Sequence, residues 1–249
     1  MTDTRTAVVT GAGRGIAAGI AKRLAADGFA VAVVDIDEAG SARVVEEIRT
    51  TGGRALAIKL DVGNERAVTA GVAQVTTELG PPAVLVNSAG ILQDHILFAM
   101  SEHELDEVVE LNRCGAHLMT RAVQDHMIVM GWGRIINLFS TLATGEAKAD
   151  ERSAQEGLLE TTRRLATELG GSGVTVNAIA PGFIETDLTA ATAKWLGLRF
   201  ERHKPRAAQG RSARAGVPED IAHAVSFFVS EGAGFVSGQV LQVSGVPAA

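Results

Sequence analysis

The chain of 249 residues contains no tyrosine, so no phenol is available anywhere in it for proton transfer. It has one cysteine, Cys114, which excludes an internal disulfide and points to a reducing compartment. His and Cys nowhere cluster at metal-ligand spacing, so no zinc site is expected. No apolar run reaches the length of a membrane span. The segment from Met1 to Arg5 is polar and leads straight into Ala7-Val8-Val9; with no signal peptide recognised, a cytoplasmic protein is the expectation. There is no excess of positive charge either. The net charge of −6 argues against nucleic acid or an anionic membrane as the main partner. Low-complexity linkers and repeats of solenoid period are also missing.

What is present is alternation. Short apolar runs with β-branched residues occur at 7–10, 30–34, 55–60, 84–86, 135–138, 174–179 and 239–243. Between most of them lie stretches of 3.6-residue periodicity, at 15–26, 39–49, 65–79, 105–130, 151–169 and 218–228. Mostly buried strands alternating with helices predict an α/β fold. The expected form is a doubly wound, Rossmann-type parallel sheet covered by helices on both faces, in a single domain over 1–249. One segment, 183–217, breaks the rhythm. It has helical patches but no strand, and it carries Lys194, Arg199, Arg202, Lys204, Arg206, Arg211 and Arg214. It is expected to be a substrate lid within the domain, and its charge suggests an anionic or carrier-linked small-molecule substrate.

The turn after the first apolar run reads Thr10-Gly11-Ala12-Gly13-Arg14-Gly15-Ile16-Ala17. Gly11 and Gly15 permit a tight turn and close approach to a pyrophosphate, and the following helix offers free N–H groups and partial positive charge to it. Twenty residues beyond Gly15, at the end of the next strand, stands Asp35. A carboxylate there accepts hydrogen bonds from a ribose 2′-hydroxyl and repels a 2′-phosphate, which favours NAD over NADP. Arg14 is the counter-signal, since a basic residue in this loop pairs with phosphate.

These residues resemble the short-chain dehydrogenase/reductase family, in the branch of 3-oxoacyl-carrier-protein reductases and secondary-alcohol dehydrogenases. The resemblance covers nearly the whole length. Thr10 to Ala17 is similar to the family's Thr-Gly-x-x-x-Gly-x-Gly, with Ala17 in place of the last glycine. Leu60-Asp61-Val62 resembles the segment whose aspartate meets the adenine. Asn87-Ser88-Ala89-Gly90 resembles the Asn-Asn-Ala-Gly that steadies the central sheet beside the cofactor. Pro181-Gly182-Phe183-Ile184-Glu185-Thr186-Asp187 resembles the loop over the nicotinamide, where the resemblance implies that Ile184 and Thr186 touch the carboxamide. For Asp61 and Asn87, capping of strand ends is an additional role that coexists with cofactor contact.

The resemblance implies four catalytic side chains: an asparagine holding a water, a serine polarising the substrate oxygen, a tyrosine moving the proton and a lysine four residues later. Asn112 and Ser140 answer to the first two. The Tyr-x-x-x-Lys element is missing. Reading back from the segment 157–182, its positions become Glu151 and Gln155, with the loop after Ser140 two residues shorter than usual. Reading forward from Ser140 gives Ser153 and Gly157. The first register is preferred, because a deletion is tolerated in a loop and destroys register in a helix. Gln155 is neutral and offers a ribose hydrogen bonds without a positive field. Glu151 serves as acid or base only if burial raises its pKa; a helix N-terminal residue stabilised by the macrodipole is the favoured alternative. His95, following Asp94 at the carboxyl edge of the sheet, is a further proton-transfer candidate or simply a solvated loop histidine. His117 reads as a core or interface residue.

Three functions follow in order of preference. The first is an NAD-dependent oxidoreductase acting on a carbonyl/hydroxyl pair through a non-standard proton relay. The second is a non-redox enzyme (lyase, isomerase, dehydratase or cyclase) on the same scaffold. The third is an inactive NAD-binding or assembly subunit. By resemblance, helices 105–130 and 151–169 pair subunits in a homo-oligomer, a tetramer or dimer, through apolar faces that equally suit an ordinary core.

Overall fold

A computed structural model of the protein describes residues 4–89, 102–138, 148–182, 184–186, 189 and 214–245, and for 102–113 and 148–158 it describes the helical backbone. Seven strands form one parallel sheet: β1 (Thr6–Thr10), β2 (Ala30–Asp35), β3 (Ala55–Lys59), β4 (Pro82–Asn87), β5 (Gly133–Leu138), β6 (Val174–Pro181) and β7 (Val240–Val243). Their order is β3-β2-β1-β4-β5-β6-β7. The helices are α1 (Gly15–Ala26), α2 (Glu38–Thr50), α3 (Glu65–Glu78), α4 (Glu102–Met130), α5 (Lys148–Leu169) and α6 (Pro218–Val229). The expected doubly wound α/β architecture is the one observed.

Period-two alternation sorts the strand side chains into two cores. Ala7, Val9, Val31, Val33, Val84 and Val86 face α1, α2 and α6, where Ile20, Leu24, Ile48, Ile221 and Phe228 complete the cluster. Val8, Ala32, Val34, Leu85, Ile135 and Val176 face α3, α4 and α5, packing with Val72, Met119, Val123, Met127, Leu165 and Leu169. Both faces of β1 and β4 are therefore buried, which is why those strands read as continuous apolar runs. Burial fades at the sheet edges. The edge strand β7 exposes Val240 and Leu241.

Several element bounds differ from the sequence expectation for local reasons. α2 starts at Glu38 because Asp37 accepts a hydrogen bond from the Gly40 amide at 3.1 Å. α5 starts at Lys148, so Glu151 lies within its first turn and not at its first residue. Of the apolar faces on α4 and α5, Met119, Val123, Leu165 and Leu169 are core, while the side chains of Val108, Val109 and Leu158 lie outside the described residues. His117 is exposed, so of the two roles expected for it the core one does not hold.

The strand order reverses between β1 and β4. The chain runs outward from β1 to β3, then returns to β4 on β1's other side. Ligands of open α/β sheets bind in the crevice beyond the strand carboxyl ends at such a point. No helix among the described residues is long and apolar enough to cross a membrane.

Candidate nucleotide-binding and active site

The crevice is built around Thr10, the last residue of β1. Its Oγ1 accepts hydrogen bonds from the amides of Ser88 and Ala89, each at 3.0 Å, and donates to the Val86 carbonyl at 3.4 Å. The turn after β1 is thus tied to the turn after β4. Gly11 completes the junction. Its φ is +67°, and a Cβ there would lie 2.9 Å from the Ala89 Cα, so both the conformation and the closeness of two backbones require glycine.

The turn continues along β2. The Ala12 amide donates to the Val34 carbonyl at 3.1 Å, and the Gly13 amide donates to Asp35 Oδ2 at 2.8 Å. Asp35 Oδ1 accepts from the Asp37 amide at 2.9 Å, and Arg43 donates to the Gly13 carbonyl at 3.2 Å. Asp35 is half-buried at the strand end where the sequence placed it, and its carboxylate is held by backbone amides on two sides.

At the entrance to α1, Arg14 is exposed, adopts extended backbone as N-cap and provides no side-chain cap. The first turn of α1 holds no acidic residue. The leading amides of a helix lack intrahelical acceptors, so this N-terminus presents donors and positive potential that no carboxylate of the helix's own first turn offsets. Gly15 has φ +61°, and the nearest atom to a Cβ placed there is the Thr186 methyl at 3.9 Å. An uncapped helix start beside an open glycine fits a diphosphate. Half-buried Ile16 packs against the core below.

Four further segments border the crevice. Asp61 is exposed, and its Oδ1 accepts from the Gly63 amide at 2.9 Å, the strand-end capping allowed for in the sequence. Val62 presses on α4: a Cβ on Gly115 would lie 2.6 Å from Val62 Cγ2. That contact fixes the path of α4 one turn beyond Asn112. Asn87 is buried and donates to Asn137 Oδ1 at 2.9 Å, and Asn137 donates to Thr162 Oγ1 at 3.3 Å. At the end of β6, Pro181 is buried and the Gly182 amide donates to the Val243 carbonyl at 2.9 Å.

The 183–217 segment has a built root. Ile184 bridges Gly216, and the Glu185 amide donates to the Gly216 carbonyl at 2.8 Å. The resemblance put Ile184 against the carboxamide. Here its side chain is 4% exposed and belongs to the apolar cluster under α1, and its carbonyl accepts from Thr189 Oγ1 at 3.1 Å. Thr186 stands over the entrance to α1, as its proximity to Gly15 records. Arg214 makes two hydrogen bonds of 2.6 Å with Asp220 in the first turn of α6. That contact, with the Val217 amide donating to Asp220 at 2.8 Å, lowers the Asp220 carboxyl from its ordinary 3.8 to about 2. α6 in turn packs on α1, where a Cβ on Gly19 would lie 2.9 Å from Pro218 Cβ.

Glu151 and Gln155 lie one helical turn apart on α5, as do Ser153 and Gly157 of the other register, and Asn112 lies on α4; the side chains of Glu151, Gln155 and Asn112 are outside the described residues. Ser140, His95 and Gly90 also lie outside them. Among the described residues no group of three metal-ligating side chains assembles.

Thr10, Arg43, Asn137 and Thr162 were not singled out for these contacts from sequence. Asn137 carried a signal, a polar residue inside the apolar run Ile-Ile-Asn-Leu. Arg43 and Thr162 carried none, since a helical arginine or threonine is ordinary.

Comparison with known proteins places this geometry. Residues 11–245 match the family described as enoyl-(acyl carrier protein) reductase. The chain is 44% identical over 241 residues to the short-chain reductase protein NovJ of Streptomyces niveus, covering 96% of this chain and 92% of that protein. It is 35% identical over 243 residues to the 3-oxoacyl-[acyl-carrier-protein] reductase FabG of Pseudomonas aeruginosa, covering 97% and 96%. The crystal structure of an actinorhodin polyketide ketoreductase variant with NADPH superposes at a TM-score of 0.87 and 31% identity, covering 98% of this chain and 97% of that one.

Proposed function

The chain belongs to the short-chain dehydrogenase/reductase family of oxidoreductases, and we propose that it binds NAD(H) and acts on a carbonyl/hydroxyl pair of an anionic or carrier-linked small molecule. The observation that carries this is the crevice at the β1–β4 reversal: an α1 entrance without a side-chain cap, Gly15 open beside it, and Asp35 held at the end of β2. A bound nicotinamide supplies or accepts the hydride. Asp35 supports NAD as the dinucleotide. Arg14 and Arg43 are the opposing charges, and the solved relative is a complex with NADPH. The basic residues of 183–217, rooted beside the crevice at Ile184 and Gly216, support a substrate of negative charge. A cytoplasmic homo-oligomer completes the proposal.

The proton is the unusual part. Ser140 donates a hydrogen bond that polarises the substrate oxygen, Asn112 holds a water, and Gln155 bonds a ribose without adding charge. With no phenol in the chain, the proton on the substrate oxygen moves to or from water, His95 or Glu151. Glu151, in the first turn of α5, is the carboxylate candidate for that step. The test combines calorimetric titration of NAD+ and NADH with cofactor absorbance against free and carrier-thioester ketones and alcohols. Binding with slow turnover is expected, reduced further in Glu151→Gln. A flat trace from protein shown to hold NADH would overturn the redox proposal.

A second reading, an assembly subunit, is favoured by β7. This edge strand exposes Val240 at 41% and Leu241 at 39%, and Phe235 just before it is fully exposed. A bare apolar edge strand calls for a partner. Co-expression with a tyrosine-bearing relative, followed by native mass measurement, distinguishes a mixed oligomer from a homo-oligomer with its own turnover.

A further inference from the structure

We propose that Gly13 is a specificity-determining residue, whose amide and missing side chain seat the Asp35 carboxylate so that a free ribose 2′-hydroxyl is admitted and a 2′-phosphate rejected. This rests on the NAD assignment above and names the device behind it. Asp35 is not a loose acid at a strand end. Its Oδ2 accepts from the Gly13 amide at 2.8 Å and its Oδ1 from the Asp37 amide at 2.9 Å. A carboxylate has about four acceptor sites, so two remain for a ribose while the group is fixed in place. A fixed anion discriminates better than a mobile one, because it cannot swing aside when a second anion arrives.

Gly13 is what permits the fixing. A Cβ there would lie 2.9 Å from Asp35 Oδ2, 3.0 Å from its Cγ and 3.3 Å from its Cβ. These are its three nearest neighbours, and all belong to the one side chain. Unlike Gly11 and Gly15, Gly13 does not have a positive φ, so the backbone accepts an L-residue without strain. A methyl at residue 13 therefore meets nothing sooner than the Asp35 side chain and displaces it. The turn is held from the other side as well. Arg43 donates to the Gly13 carbonyl at 3.2 Å, and a Cβ on Gly40 would lie 2.9 Å from that oxygen. The glycine turn, β2 and α2 thus meet at residue 13.

The test is calorimetry of NAD+, NADP+, ADP-ribose and 2′-phospho-ADP-ribose with the full chain, for wild type, Gly13→Ala and Asp35→Ala. The ADP-ribose pair isolates the adenosine end from the nicotinamide. The inference expects wild type to prefer the unphosphorylated ligand of each pair, and Gly13→Ala to lose about tenfold or more of that preference. Gly13→Ala with the wild-type ratio, beside an Asp35→Ala that loses it, would overturn the role of Gly13 and leave the Asp35 assignment standing. Wild type without a preference would overturn both. A second measurement does not depend on Gly13→Ala folding. In Asp35→Asn the Gly13 amide proton resonance should shift, because its acceptor loses charge; an unmoved resonance overturns the contact on which the inference stands.

Discussion

Asn87 and Asn137 are partners in register on the central strands β4 and β5, and the Asn87 amide donates across that pair to Asn137 Oδ1 at 2.9 Å. Asn137 passes the connection to Thr162 on α5 at 3.3 Å. All three side chains are buried. The helix carrying Glu151 and Gln155 is thereby tied to the sheet at the reversal point. Asn87 Oδ1 has no hydrogen-bond partner among the described residues.

Replacing Asn137 by Leu should strand the Asn87 donor and the Thr162 acceptor together. The expected loss is about 1–3 kcal/mol for each buried group left unpaired, with a fall in Tm of about 2–4 °C per kcal/mol for a chain of this size. Thr162→Val, which removes only the last link, should cost less. Urea and thermal unfolding measure both, and a neutral Asn137→Leu would contradict the network.

Thr10→Val keeps the shape of the side chain and removes its oxygen. The Ser88 and Ala89 amides then lose their shared acceptor, at a cost of about 1–3 kcal/mol if no water replaces it. Nucleotide affinity should fall with stability, because Gly11 is seated against Ala89 by the same tie. Thr10→Ser should restore most of both in calorimetry and unfolding.

Gly11→Ala and Gly15→Ala should separate. Both residues have positive φ, which costs an alanine about 1–2 kcal/mol. Only Gly11 also brings a Cβ within 2.9 Å of another backbone; at Gly15 the nearest atom is a methyl at 3.9 Å. Gly11→Ala should be the less stable variant by denaturation, and equal losses would show that close approach contributes nothing.

The Asp220 carboxyl sits at about 2 in the fold against an ordinary 3.8, chiefly because of the Arg214 hydrogen bonds. A depressed carboxylate stabilises the fold fully above its ordinary value and stops doing so as pH falls through about 2. Asp220→Asn should therefore lower Tm at neutral pH, and its difference from wild type should shrink between the ordinary value and the folded one. A difference independent of pH across that window would exclude the ion pair as its source.

The legible parts of this protein were local. Continuous apolar runs announced β1 and β4 because burial on both faces leaves no polar alternation to misread. Gly11 and Gly15 stood out because positive φ is a property of single residues. Asp35 was found by its distance along one βαβ unit. The strand β7 was legible, but its exposure was not, because a Val-Leu pair reads the same whether a helix covers it or not. The resemblance implied a carboxamide contact for Ile184 and was silent on its side chain, which packs into the apolar cluster under α1.

By itself the chain's order of residues determined the parallel sheet, the glycine turn with its acid, and the lack of any phenol, since each is settled by a short window or a count. The tertiary structure decided which groups meet. Gly13 reaches Asp35 across 22 residues, Asn137 reaches Asn87 across 50, and Thr10 reaches Ser88 across 78. Those distances close only when β1 lies between β2 and β4 and β4 lies beside β5, an order set by packing two apolar faces and visible in no single segment.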